Sequence, residues 1–254
     1  MALTHVSLEP IVRKLCRLSP LGDTDRAALR ALPFQVRHLD AGAYLVREGD
    51  AVHHCCALLS GFAYRHRMTG MGTRQILAFQ MKGDLLDLPN SMVDCADHGI
   101  QMLTAGHVAS IPREAISHLA DTHPAVARAL WRDTLVDASI AREWMMNIGR
   151  RSARERVAHL LCEMACREEA AEISEGPIYH MPMTQEQLAD ATGLTAVHVN
   201  RTLQRLRADK LIKLGRADLT VLSRKRLEST ADFTRGYLHD PMRENCDVGL
   251  EAAC

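Results

Sequence analysis

Residues 183–212 read MTQEQLADATGLTAVHVNRTLQRLRADKLI. Thr184 is a good helix N-cap, and Gln187 stands three positions on, in the reciprocal place of a capping box. The helix started there carries Leu188 and Ala189 inward and breaks at Gly193. Thr195 then caps a second helix whose inward residues are Val199, Leu203 and Leu206. Two helices crossing steeply over a tight turn need a small residue at the crossing and a residue tolerant of positive φ in the turn. Ala189 and Gly193 meet those needs, and Val199 is the apolar residue that docks the second helix on the first. The spacing predicts a helix-turn-helix.

The second helix leaves Ala196, Val197, His198, Asn200, Arg201 and Gln204 available to a partner. A helix of this kind enters the major groove of double-stranded DNA by its N-terminal half. Arg201 can donate two hydrogen bonds to guanine O6 and N7, and Asn200 can pair with adenine or reach a phosphate. Val197 and His198 complete the expected base-facing set. Thr184, Thr195, Gln204, Arg205 and Arg207, with Lys210 beside them, are expected at phosphates, where they set register rather than sequence preference. Apolar segments at 211–214 and 219–222 flank residues 215–218, a hairpin wing with Arg216 at its tip near a phosphate. The whole chain has no net charge, which taken alone argues against nucleic acid. Between Thr184 and Arg226, however, nine basic residues face four acidic ones, a local +5.

Upstream, residues 8–19 have the pattern of a short amphipathic helix. From 34 to 111 short apolar runs are broken at Gly42, Gly49, Gly61, Gly70 and Gly72, and Gly83, the texture of a barrel-like all-β unit. Residues 65–68 and 73–79 read as a hairpin. At Pro124 the pattern turns helical, and Ala127, Leu130, Thr134, Ala138, Ala141, Met145 and Ile148 form a seam on a helix of about 39 Å. Such a seam suits a two-chain coiled coil; packing against the chain's own β unit is the alternative. Trp131 and Trp144 are expected at that helix's interface. Ser152 with Glu155 starts another helix, with Val157, Leu160, Leu161 and Met164 on its apolar face. Residues 168–176 read as an acidic loop, and the chain from Phe233 onward as loosely ordered.

The chain of 254 residues is 47% hydrophobic, enough for a sizeable core, so wholesale disorder is excluded. Its eight cysteines do not form a disulfide framework, and neither a signal peptide nor a membrane span is legible, so a reducing cytoplasm is the expected setting. Cys162 and Cys166, one helical turn apart, are expected in the core. So are His53, His54, Cys55 and Cys56, because strand neighbours point to opposite faces and cannot share one ion. No His-x-His pair, Gly-rich phosphate loop or G-x-S-x-G elbow occurs, so an enzyme is not expected.

Three stretches resemble the Crp/Fnr (cyclic-AMP receptor protein / fumarate-nitrate regulator) family of bacterial transcription regulators. They are LLSGFAYRHRMTGMGTRQILAFQMKGDLLDLPN, RRSARERVAHLL and TQEQLADATGLTAVHVNRTLQRLRADKLI, and the likeness spans about residues 10–228. The resemblance implies an α+β fold: an N-terminal helix (1–19), a β-roll sensor (double-stranded β-helix, cyclic-nucleotide-binding-domain-like, 20–122), a dimerisation helix (123–150), a winged helix-turn-helix (151–230) and a tail (231–254). It implies a homodimer on a near-palindromic operator, contact with RNA polymerase, and an effector or redox signal sensed near Gly83, Asp84 and Cys95. Arg201 matches the family's base-reading arginine. Val197 stands where many members carry a glutamate, and valine cannot accept from cytosine N4, so a different operator is expected. Residues 85–109 contain no arginine to hold a phosphate, and only Cys16 lies near the N-terminus. Neither a cyclic nucleotide nor an iron–sulfur cluster is therefore expected, and the effector is left open. The alternative is a ligand- or thiol-redox-sensing β-roll with constitutive or weak DNA binding.

Overall fold

The computed structural model describes residues 7–240, the side chains of Asn90 and Ser91 excepted. Helices α1 (Glu9–Leu18) and α2 (Asp23–Arg30) precede strands β1 (Gln35–Leu39), β2 (Tyr44–Val46), β3 (His54–Ser60), β4 (Ala63–Met68), β5 (Arg74–Gln80), β6 (Gly99–Met102) and β7 (Gly106–Pro112). These strands form two antiparallel sheets, β1-β7-β3 and β2-β6-β4-β5. Strand β3 shows why its text is apolar throughout. Cys56 and Leu58 point between the sheets, against Ile100, Met102 and Val108. Cys55, Ala57 and Leu59 point the other way, into a core shared with α1. Both cysteines are thus packing residues, while His53 and His54 stay exposed. Gly106 is a close-approach glycine, since a Cβ there would lie 2.1 Å from the Ser60 carbonyl oxygen. Helix α2 was not legible in the sequence.

Helices α3 (Arg113–Thr122) and α4 (Pro124–Arg150) follow the roll. Helix α4 presents two opposite apolar stripes. Val126, Ala129, Leu130, Val136, Ile140 and Trp144 are buried within the chain. Trp131, Leu135, Met145 and Met146 are exposed, Trp131 at 68%. The expected seam therefore needs correction. Leu130 packs in the core with α1, Thr134 lines an internal cleft, and Ile148 lies beside Gly193. Ala127, Ala138, Ala141 and Met145, none of them buried, lie on or next to the free stripe. Both stripes are apolar, and periodicity alone cannot tell which of them the β-roll covers. Trp144 is likewise internal: its ring meets Phe79, and its Nε1 donates to Glu163 at 3.0 Å.

Helix α5 (Ala153–Ala170) begins with the expected capping box between Ser152 and Glu155. It extends past the expected loop start. Glu168 is fully buried and accepts from Ser174 Oγ at 2.6 Å, so the acidic stretch is in part a core element. Beyond α8 (Arg224–Ala231), Phe233 is buried and Tyr237 donates to Glu163 at 2.9 Å. The expected looseness thus does not hold for residues 233–238; the rest of the expected tail, 241–254, lies outside the described residues.

A buried ionic chain ties these parts together. Lys14 Nζ lies 2.9 Å from Asp84 and 2.7 Å from Asp133, and Arg167 lies 3.0 Å from Asp84 and 3.5 Å from Glu163. Burial pushes the Asp84 carboxyl up, but Lys14 and Arg167 outweigh it and hold the carboxyl below its ordinary value. Burial pushes Glu163 up, and there Arg167 does not compensate fully.

His159 is fully buried between Phe233 and Tyr237. Burial, reinforced by Arg151, pushes its pKa from 6.5 down to about 4, despite Glu143 at 3.2 Å. The folded chain therefore binds fewer protons here than the unfolded chain between those values, and stability falls as pH drops through this window. Denaturant titrations at pH 7 and pH 5 should show a loss in the wild type that is smaller in His159→Phe. Equal losses in both proteins would contradict this.

Candidate nucleic-acid interface

Helices α6 (Gln185–Thr192) and α7 (Ala196–Ala208) form the expected pair. Thr184 Oγ1 accepts from the Gln187 amide at 3.1 Å, and Gln187 Oε1 accepts from the Thr184 amide at 2.8 Å. Gly193 ends α6 with φ 65°, the left-handed conformation that favours glycine. Thr195 caps α7 by accepting from the His198 amide at 3.3 Å. Val199, Leu203 and Leu206 are buried beneath α7, and Leu188 and Ala189 are buried on α6.

This inner face fixes the outer one. Val197 is 70% exposed, and His198, Asn200, Arg201, Gln204, Arg205 and Arg207 are exposed with it. Asn200 is less free than its neighbours, because its Nδ2 donates to Gln185 Oε1 at 3.0 Å. Thr184 and Thr195 sit at the N-termini of α6 and α7, exposed as well. The wing is a three-stranded sheet, β8-β10-β9, made of Ile178–His180, Asp218–Val221 and Ile212–Leu214. Arg216 is exposed at the turn between β9 and β10, which the Gly215 amide closes on the Asp218 carbonyl at 2.8 Å. The base-facing and phosphate-facing candidates thus line one solvent-exposed side of α7, the two helix starts and the wing tip.

Two features of this surface were not read from the sequence. Arg154 on α5 pairs with Asp209 at 2.6 Å, which neutralises the acid at the end of α7. Arg74 and Gln75 of β5 hold α6, with Arg74 Nε 2.8 Å from an Asp190 carboxylate oxygen and Gln75 Nε2 2.7 Å from the Asp190 carbonyl. Partners 55 to 116 positions apart leave no local pattern.

The three residues expected at the effector site do not come together. Asp84 is buried in the ionic chain. Gly83 packs under α1, where a Cβ would meet the Pro10 carbonyl oxygen at 3.0 Å. Cys95 is exposed in an isolated bridge with Ala51. The irregular segment between Asp84 and β6 turns Cys95 outward, which adjacency in sequence does not reveal.

Comparison with known proteins agrees with this architecture. Residues 36–123 match the profile of the cyclic nucleotide-binding domain, and residues 155–230 that of the Crp-like helix-turn-helix domain. The transcriptional activator protein FnrL of Cereibacter sphaeroides is 30% identical, over 80% of this chain and 83% of that protein. The transcriptional activatory protein AadR of Rhodopseudomonas palustris is 29% identical, over 87% of this chain and 90% of its own length. Among solved structures, FixK2 from Bradyrhizobium japonicum aligns with a TM-score of 0.72 at 23% identity, over 80% of this chain and 100% of that one. A β-roll, a long helix and a winged helix-turn-helix in this order, with these relatives, place the chain in the Crp/Fnr family, whose members are transcription regulators and not enzymes.

Proposed function

We propose that the chain acts as a homodimer that reads a near-palindromic DNA site with α7, under the control of a signal received in its β-roll half. The outer face of α7 carries this reading. Arg201 is exposed on a helix whose inner face is locked, and it has no hydrogen-bond or ion-pair partner among the described residues. Arg201, Asn200, His198 and Val197 face base edges. Arg205, Arg207, Gln204, the two helix starts and Arg216 contact phosphates. The second copy covers the stripe of Trp131, Leu135, Ala138 and Met145, because a large exposed apolar stripe on a long helix suits a facing helix.

The signal is neither a cyclic nucleotide nor an iron–sulfur cluster. The absence of arginine from 85–109 supports the first point, and the lone N-terminal Cys16 the second. The relatives' names as activators support a contact with RNA polymerase at the promoter. Among the described residues no helix is long and apolar enough to cross a membrane. Action on the chromosome in the cytoplasm follows from the DNA-reading role itself.

Arg201→Ala tests the reading. In a selection from randomised DNA, the variant should lose preference at one guanine per half-site, worth about 1–3 kcal/mol, and keep its other contacts. An unchanged base preference would overturn the assignment of Arg201.

A further inference from the structure

A cleft of about 640 Å³ opens between α1, the end of β5, α4, the end of α5 and the segment after α8. The space between the two sheets of the roll is filled by Leu58, Ile100, Met102 and Val108, so this cleft lies outside the roll, where the roll meets the DNA-binding half. Its volume is in the range of sites for small organic ligands, about 300–1,000 Å³. Leu18, Met81, Val136, Ile140, Phe233 and Leu238 give it an apolar lining.

The polar groups of the lining are unevenly satisfied. Six lysines and arginines border the cleft. Lys14 and Arg167 are held by Asp84, Arg65 by Asp137, and Arg235 by Glu228. The remaining two, Arg17 and Lys82, are half-buried and have no hydrogen-bond or ion-pair partner among the described residues. Gln80 is 2% exposed, and its Nε2 has no acceptor. A buried amide donor left unpaired is destabilising, so a group there with a free lone pair would be stabilising. The lining's carboxylates are engaged, Asp84, Asp133, Asp137 and Glu228 in ion pairs and Asp240 with a contact of its own, so two unpaired cations, one orphaned donor and an apolar wall suit an anionic head on an apolar body.

We propose that the cleft binds a small organic anion, an anionic head held by Arg17, Lys82 and Gln80 on an apolar body lying against Val136, Ile140 and Phe233. Resting on the regulator reading above, this is the site at which the signal enters. An occupant there touches the roll, the long helix and the DNA-binding half at once.

The test uses the full-length chain and 8-anilino-1-naphthalenesulfonate, an aryl body with one sulfonate. The expected result is one saturable site per chain. Arg17→Ala/Lys82→Ala should weaken it at least tenfold, and Gln80→Leu should weaken it further, with the cooperative thermal transition retained. N-phenyl-1-naphthylamine, the same body without the sulfonate, should bind at least tenfold more weakly. No saturable site, an unchanged affinity in the double variant, or equal binding of the neutral compound overturns the proposal. DNA binding measured on the same preparation separates the two readings. DNA bound without the sulfonate removes the cleft proposal and leaves the regulator reading standing; the sulfonate bound without DNA does the reverse.

Discussion

Arg167→Met lowers stability by about 3–5 kcal/mol, because removing one partner of a buried pair leaves the other charge uncompensated. For a chain of this size that corresponds to a fall in Tm of roughly 6–20 °C. Arg167 serves two acids. Asp84 keeps Lys14 when it is lost, but Glu163, fully buried, keeps only neutral donors from Trp144 and Tyr237. The additional change Glu163→Gln removes the stranded charge and should recover a large part of the loss. Thermal and urea unfolding of the two variants beside the wild type checks this. A loss under about 1 kcal/mol for Arg167→Met would show that the network adds little. The same residues join the roll to α5, so the variant should also weaken the coupling of the two halves, visible as separated unfolding transitions.

Leu135→Glu should abolish the dimer and with it most of the DNA affinity. Leu135 is 52% exposed between Trp131 and Met145, so a charge there does not disturb the chain's own core. In a close helix pair it would be buried opposite its own copy. Loss of the second binding module costs about 10²–10⁴-fold in affinity. The salt dependence should change as well. A dimer presenting Arg205, Arg207, Lys210 and Arg216 twice neutralises about eight phosphates, for a slope of log affinity against log salt of about −7. The monomer should show about half that slope. Sedimentation at micromolar concentration and titrations from 50 to 200 mM salt read both effects. A variant that stays dimeric with an unchanged slope would remove the stripe as the interface.

The helix-turn-helix was legible because its determinants are local. Thr184, Gln187, Gly193 and Thr195 each act within a few residues, and Val199 answers to Ala189 ten positions away. The roll was legible as glycine-broken apolar runs for the same reason. Helix α2 was not, since DTDRAALR spans only eight residues and buries only Leu29, too short an apolar face to stand out. The rotation of α4 was hidden because both of its stripes are apolar, and the choice between Leu130 and Trp131 is made by α1 and the roll. The order of Phe233 and Tyr237 rests on His159 and Glu163, more than 70 positions upstream. Asp84 was marked by its neighbour Gly83, yet its role is set by Lys14 and Arg167, which sequence distance conceals. The clamp of Arg74 and Gln75 on Asp190 belongs with these long-range pairs.

The most direct measurement is selection of binding sites from a randomised DNA pool by the purified full-length chain. An inverted repeat with half-site centres about 34 Å apart, one turn of the duplex, is the expected product. An unenriched pool, or a single half-site without its inverted partner, would contradict a dimer that reads DNA through α7.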